Sequence, residues 1–154
     1  MSHLLDALSA QEMLIITTNL IACITSLKCM KIPNWLTLPA ALIGAILNSL
    51  QGHIVSSIGG WLLLILVNLL GGKRRYPFGA VKLFAANGAA LGPVEGFLNF
   101  GIFITVHCLF ALTIIRSVEG AEEKAEISAR AIPLGPMIFI ATVITILIKR
   151  VAGF

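Results

Sequence analysis

The chain has 154 residues, 58% hydrophobic and 12% charged, with a net charge of +4 and a mean hydropathy of +0.98. Soluble domains carry about 25% charged residues, so this composition excludes one and indicates a single polytopic membrane domain over residues 1–154. Nucleic-acid binding is a poor reading, because no basic patch interleaves with aromatics on a polar surface.

Cys23, Cys29 and Cys108 form no C-x-x-C pair and no Cys/His cluster with zinc spacing. No disulfide framework, metal or cofactor is therefore expected. The first apolar stretch lacks a basic flank and a small-residue cleavage site, so it reads as a span and not as a cleavable signal.

Residues 1–8 are a short lead with His3 and Asp6. Ser9-Ala10-Gln11-Glu12 is a capping-box pattern, which predicts a helix starting near Ala10 and running to about Leu27. This span is polar for a membrane helix, and Asn19, Cys23, Ser26 and Met30 share one of its faces. Interhelical hydrogen bonding is the favoured reading of that face; a functional lining is the sharper alternative. Pro33 ends the helix, and Lys28 and Lys31 mark a cytoplasmic loop. Trp35 sits where an interfacial aromatic belongs. A second helix is predicted over 35–51, with Pro39 near its first turn, and a third over 54–70 after the turn Gln51-Gly52-His53.

Lys73-Arg74-Arg75 lies in the second cytoplasmic loop. The stretch from Gly79 to Gly92 follows, rich in glycine and alanine. At roughly 13 residues it spans only about 20 Å, short for a bilayer crossing. Small side chains let other helices approach closely, so it reads as a short central helix surrounded by the longer spans. Ala80, Leu83, Phe84 and Asn87 share one face of it. Gly92-Pro93 breaks the chain before a fifth helix over 94–116, which contains His107. A lone histidine in a span is more often a packing residue than a metal ligand, and no second ligand is in view. The hydrophilic segment 117–130 follows, with Glu122, Glu126 and Arg130 spaced for a solvated helical extension. Ile132-Pro133-Leu134-Gly135-Pro136 opens the last helix, which ends near Val151.

The fold class is thus all-α, a membrane bundle of six helical segments with one short central helix. An even number puts both termini on one side. The lysine- and arginine-bearing loops alternate with nearly charge-free turns, which places the termini outside. Lys149 and Arg150 are the one charge pair against that orientation.

Three elements stand out in a fixed order: Ile32-Pro33-Asn34-Trp35-Leu36-Thr37-Leu38-Pro39, Gly79-Ala80-Val81-Lys82-Leu83-Phe84-Ala85-Ala86, and Ile132-Pro133-Leu134-Gly135-Pro136. This set resembles the type IV prepilin peptidase family, membrane aspartic proteases with a G-x-G-D motif. The resemblance covers nearly the whole chain. It implies an integral protein of a prokaryotic cytoplasmic membrane, in contact with lipid. Its protein substrate would be a prepilin leader, cut after a glycine on the cytoplasmic side, with no cofactor. Ile32, Pro33, Asn34, Gly79, Lys82, Pro133, Gly135 and Pro136 are the motif residues that would shape the site. The length is similar to short members that lack a cysteine-rich zinc domain, so methyl transfer is not implied.

The family's chemistry uses two aspartates on different helices, one protonated and one acting as base toward water. One stands six residues before the Ile of Ile-Pro-Asn, where this chain has Ser26. The other is the D of G-x-G-D, where it has Ala80, with Pro77 at the first glycine. Ser26 and Ala80 are expected to face one another. Without carboxylates there, the resemblance implies a catalytically dead scaffold, by deliberate replacement or natural loss. The intact surroundings favour replacement, and Pro77 gives weight to divergence. Lys82 lies about 200° around its helix from Ala80, so a serine–lysine dyad with Ser26 is disfavoured; snorkelling to the interface is the better role. A non-enzymatic membrane protein that binds prepilins or assembles pilus machinery is the alternative. A small transporter is weaker, since only His107 offers an ionisable group near mid-span.

Overall fold

The computed structural model describes residues 8–29, 31–50, 52–53, parts of 55–69, 78–117 and 134–152. The predicted features at His3, Asp6, Met30, 73–75, Pro77, 119–130 and Pro133 lie outside the described residues.

Helix α1 spans Ala10–Cys29. Its start is the predicted capping box. The Ser9 hydroxyl accepts the Glu12 backbone N–H at 3.2 Å, and the Glu12 carboxylate accepts the Ser9 N–H at 3.0 Å. Helix α2 spans Asn34–Leu50. It begins one residue earlier than the sequence suggests, because Pro33 supplies the first carbonyl acceptor for Leu36 and Thr37. Pro39 consequently falls inside the helix. It has no N–H to offer the Trp35 carbonyl. Gly52 then turns the chain at φ 80°, a conformation that favours glycine. The described residues within 55–69 are all helical and belong to α3.

Helix α4, Phe78–Leu91, is the short central helix. Every described side chain from Leu83 to Leu91 is buried, so it has no lipid-facing stripe. It stops at Gly92, which takes φ 102°, and Pro93 occupies the first position of α5, Pro93–Ser117. Helix α6 spans Leu134–Ala152. Three helical segments, Ala10–Cys29, Pro93–Thr113 and Leu134–Ala152, are long and apolar enough to cross a membrane. The chain is an integral membrane protein.

The six helices alternate in direction. Glu12 near the start of α1 meets Arg150 near the end of α6, so both described ends share one face of the bundle. That end is closed by Glu12–Arg150 at 2.8 Å and Glu95–Lys149 at 3.4 Å. The two basic residues that stood against the predicted orientation therefore have acidic partners beside them.

Close backbone approach fixes the position of α4. A methyl group on Gly44 of α2 would lie 2.6 Å from the Ala90 Cβ, so the two helices cross almost in contact. Toward the opposite end, Ala80, Leu83 and Phe84 of α4 join Ala22, Leu36, Phe103, Met137 and Ile138 in one apolar cluster. Phe84 meets Phe103 edge-on, with centroids 4.8 Å apart.

Candidate functional site

The bundle is built in layers along its axis, and the motif residues occupy the end opposite the ion pairs. Four helix ends meet there: the last turn of α1 and the first turns of α2, α4 and α6.

Ile32 and Asn34 lie against the start of α4. A Cβ on Gly79 would come within 3.1 Å of both the Ile32 Cβ and its carbonyl oxygen, so glycine is what admits the Ile-Pro-Asn segment there. Lys82 donates to the Asn34 side-chain oxygen at 3.0 Å. The first two motif elements, far apart in sequence, are thus locked together by one steric fit and one hydrogen bond.

The third element meets α1. The Gly135 backbone N–H donates to the Ser26 hydroxyl at 3.3 Å. A Cβ on Gly135 would sit 2.6 Å from the Ser26 Cβ and 2.7 Å from the Ala22 carbonyl oxygen. Gly135 is the second residue of α6, so its N–H is one of those that a helix start leaves unpaired. Residue 26 therefore faces the positive end of a helix dipole, a setting that favours an anionic or acceptor group. Pro136 follows within the same first turn, where proline is tolerated.

Ser26 and Ala80 are both buried, at 3% and 1% exposure, so neither faces lipid. Ala80 belongs to the same apolar cluster as Ala22, which is one turn before Ser26 on the same face of α1. The Ser26 hydroxyl is engaged by α6 and Lys82 by Asn34, which argues against a serine–lysine dyad. Among the described residues, no group of three or more His, Cys, Asp or Glu side chains could hold a metal ion.

His107 is a packing residue, as the sequence reading favours. Its Nδ1 lies 3.2 Å from the Met137 sulfur, and its ring stacks on Phe103. It forms a layer just inside the motif end.

The polar face of α1 also resolves in favour of interhelical bonding. Asn19 donates to the Ile15 carbonyl and to the Asn87 side-chain oxygen, both at 2.8 Å. Asn87 in turn donates to Asn99 and to Thr142, each at 3.3 Å. Asn99 donates to Thr142 at 3.1 Å and Thr145 at 3.4 Å. These five residues, at 0–1% exposure, join α1, α4, α5 and α6. Thr142 and Thr145 also donate to carbonyls of their own helix. Sequence reasoning placed Asn87 on the inner face of α4 but missed Asn99, Thr142 and Thr145. The available signal was a lone amide in α5 and two hydroxyls at i, i+3 in an otherwise apolar α6.

A second polar cluster holds the far end of α4. Gln11 donates to Asn48 at 3.2 Å, and Asn48 and Ser57 both donate to the Ala89 carbonyl, at 2.9 and 2.7 Å.

Comparison with known proteins returns one family. The model of the Type IV leader peptidase family matches residues 13–148. No curated protein and no solved structure matches the chain.

Proposed function

The chain belongs to the type IV leader peptidase family, and we propose that it is a prepilin-binding scaffold of that family that does not cut its substrate. Family membership implies prepilins as protein substrates. The observation that carries the reading is the chemistry at residues 26 and 80, a hydroxyl and a methyl held at the motif end of the bundle.

Peptide hydrolysis by an aspartic dyad needs one carboxylate to take a proton from water and a second, protonated one to polarise the carbonyl. The Ala80 methyl can neither give nor take a proton. The Ser26 hydroxyl accepts a hydrogen bond from Gly135, and among the described residues no general base bonds to it to activate it. The described acids, Glu12 and Glu95, are at the other end of the bundle, paired to Arg150 and Lys149. Recognition makes different demands. The contacts Ile32–Gly79, Asn34–Lys82 and Ser26–Gly135 keep the motif elements assembled without either carboxylate.

The proposed orientation puts the motif end in the cytoplasm and both termini outside. Lys28 and Lys31 at the motif end support it. So does the pairing of Lys149 and Arg150 with glutamates at the other end.

The test is to co-express the chain with a cognate prepilin that carries a photo-crosslinker in its leader. The expected result is a crosslink to the chain with the leader retained on a gel. Leader loss would overturn the inactive assignment, and absence of any crosslink would overturn the binding role.

A further inference from the structure

Two grooves lie end to end on α4, between α2 and α3. One runs past Leu42, Ala45 and Ile58, the other past Ile65, Leu69 and Val81. Leu38, Ala41 and Trp61 line both, so the two form one slot. Its walls are exposed side chains, Leu38 and Leu42 on α2 and Ile58, Trp61 and Leu69 on α3. Ala85 and Ala89 of α4 form its floor.

The slot is built to a helical period. Leu38 and Leu42 stand four apart on α2, with Ala41 and Ala45 four apart beside them. Ala85 and Ala89 repeat the same spacing on α4, and Ile58, Trp61, Ile65 and Leu69 follow each other at three and four on α3. Rows at this spacing are the ridges and grooves into which a further helix packs. Here the large side chains make a ridge on either side, and the alanines, with Ser57, make the furrow between them. Small residues let the backbone of a second helix come close. A fluid hydrocarbon chain packs on any apolar surface and gains nothing from that order. The Ser57 and Thr37 hydroxyls donate to the Ala89 and Asn34 carbonyls, so neither offers its hydrogen to an occupant.

The position of the slot selects the partner. Its floor runs from Ala89 to Val81, about 12 Å at about 1.5 Å per residue. Val81 adjoins Ala80, so a helix lying in the slot ends beside the motif site. A second copy of the chain gains nothing from ending there. A partner that has to bring one peptide to residues 26 and 80 does.

We propose that the slot seats an apolar helix of the prepilin, with its cytoplasmic end at the motif site and the leader continuing from it to residues 26 and 80. The lining is uncharged up to Lys82 at the motif end, so the seated segment is apolar and uncharged over about two turns, the length of the floor. The proposal rests on the prepilin-binding reading and adds which surface of the bundle holds the substrate and by what kind of segment.

The test places p-benzoylphenylalanine at Leu42 or Ile58 in the slot wall, and at Leu109 or Leu112 on α5 as controls of similar exposure. Each chain is expressed with a cognate prepilin, in parallel with the pairing in which the leader carries the crosslinker. The slot positions should crosslink to the prepilin and the α5 positions should not. Ala45→Leu, which fills the furrow, should lower the slot crosslink about tenfold, equivalent to an overpacking cost of about 1.4 kcal/mol. Leader crosslinking with none from the slot overturns the slot and leaves prepilin binding standing. Absence of both in a chain of unchanged helicity overturns the two together. Slot crosslinks found only on lipid or on a second copy of the chain, or equal prepilin crosslinks from α5, also overturn the slot as the prepilin's seat. If Ala45→Leu loses helicity, the wall positions carry the test.

Discussion

The backbone N–H of Gly135 points at the hydroxyl of Ser26 across 3.3 Å, joining residues 109 positions apart. The start of α6 thus presents a donor, and the positive end of its dipole, to the position that we propose corresponds to a family aspartate. An acceptor is satisfied there whether it is a hydroxyl or a carboxylate.

Ser26→Asp combined with Ala80→Asp should therefore restore leader cleavage. The α6 N-terminus would stabilise the new carboxylate at 26, and only a pair can divide the acid and base roles. Either single substitution should do little, since groups that act as a unit are strongly non-additive. Restored activity should fall at both pH extremes: at high pH the shared proton is lost, at low pH the base is protonated. Gel-shift assay of leader loss reads the outcome. A folded double variant that leaves the leader intact would defeat the assignment of these two positions.

Gly135→Ala should destabilise the bundle by about 1–3 kcal/mol, the usual cost of overpacking. The added methyl has only 2.6 Å to the Ser26 Cβ and 2.7 Å to the Ala22 carbonyl oxygen. Gly101→Ala is the control, since nothing lies within 4 Å of a Cβ there. Thermal unfolding of both variants in one detergent makes the comparison, and equal midpoints would refute the tight α1–α6 contact.

Asn19 and Asn87 should be energetically coupled. Their side chains bond at 2.8 Å inside the bundle. Replacing Asn87 alone leaves buried amides short of partners, at a cost of about 1–3 kcal/mol. A double-mutant cycle with alanine at both sites should return a coupling of about 0.6 kcal/mol, typical of membrane hydrogen bonds. Strict additivity would mean that the bond contributes nothing net.

Topology can be read from a native thiol. Cys29 is exposed at the motif end. With Cys23→Ser and Cys108→Ser in place, an impermeant maleimide should leave Cys29 unlabelled in intact cells and label it after the membrane is opened. Labelling in intact cells would invert the proposed orientation.

Glu12→Gln separates two roles of one side chain. Glutamine still closes a capping box, so the start of α1 should persist, while the charge-assisted bond to Arg150 is lost. The expected cost is about 1.5–3 kcal/mol in unfolding free energy. A loss as small as that of an exposed surface change would mean that the ion pair does not hold the α1 and α6 ends together.

The sequence by itself determined the membrane class, where α1 starts and where α4 gives way to α5, and which short central segment lacks a lipid face. Ser9–Glu12 and Gly92–Pro93 act within a turn of themselves, and runs of apolar residues need no partner to be recognised. The family motifs were legible for the same reason, as local strings. Tertiary structure alone decided that Asn19 meets Asn87, that Lys82 meets Asn34 and that Arg150 meets Glu12, 138 positions away. In a membrane helix both the lipid face and the packed face are apolar, so periodicity says little about which residues look inward. Thr142 and Thr145 donate their hydroxyls to carbonyls of their own helix, a bond that needs no partner helix and leaves their acceptor role unannounced in the sequence. What turned them into partners of Asn99 was the close approach of α5 and α6, a property of the assembled bundle that neither segment carries in isolation.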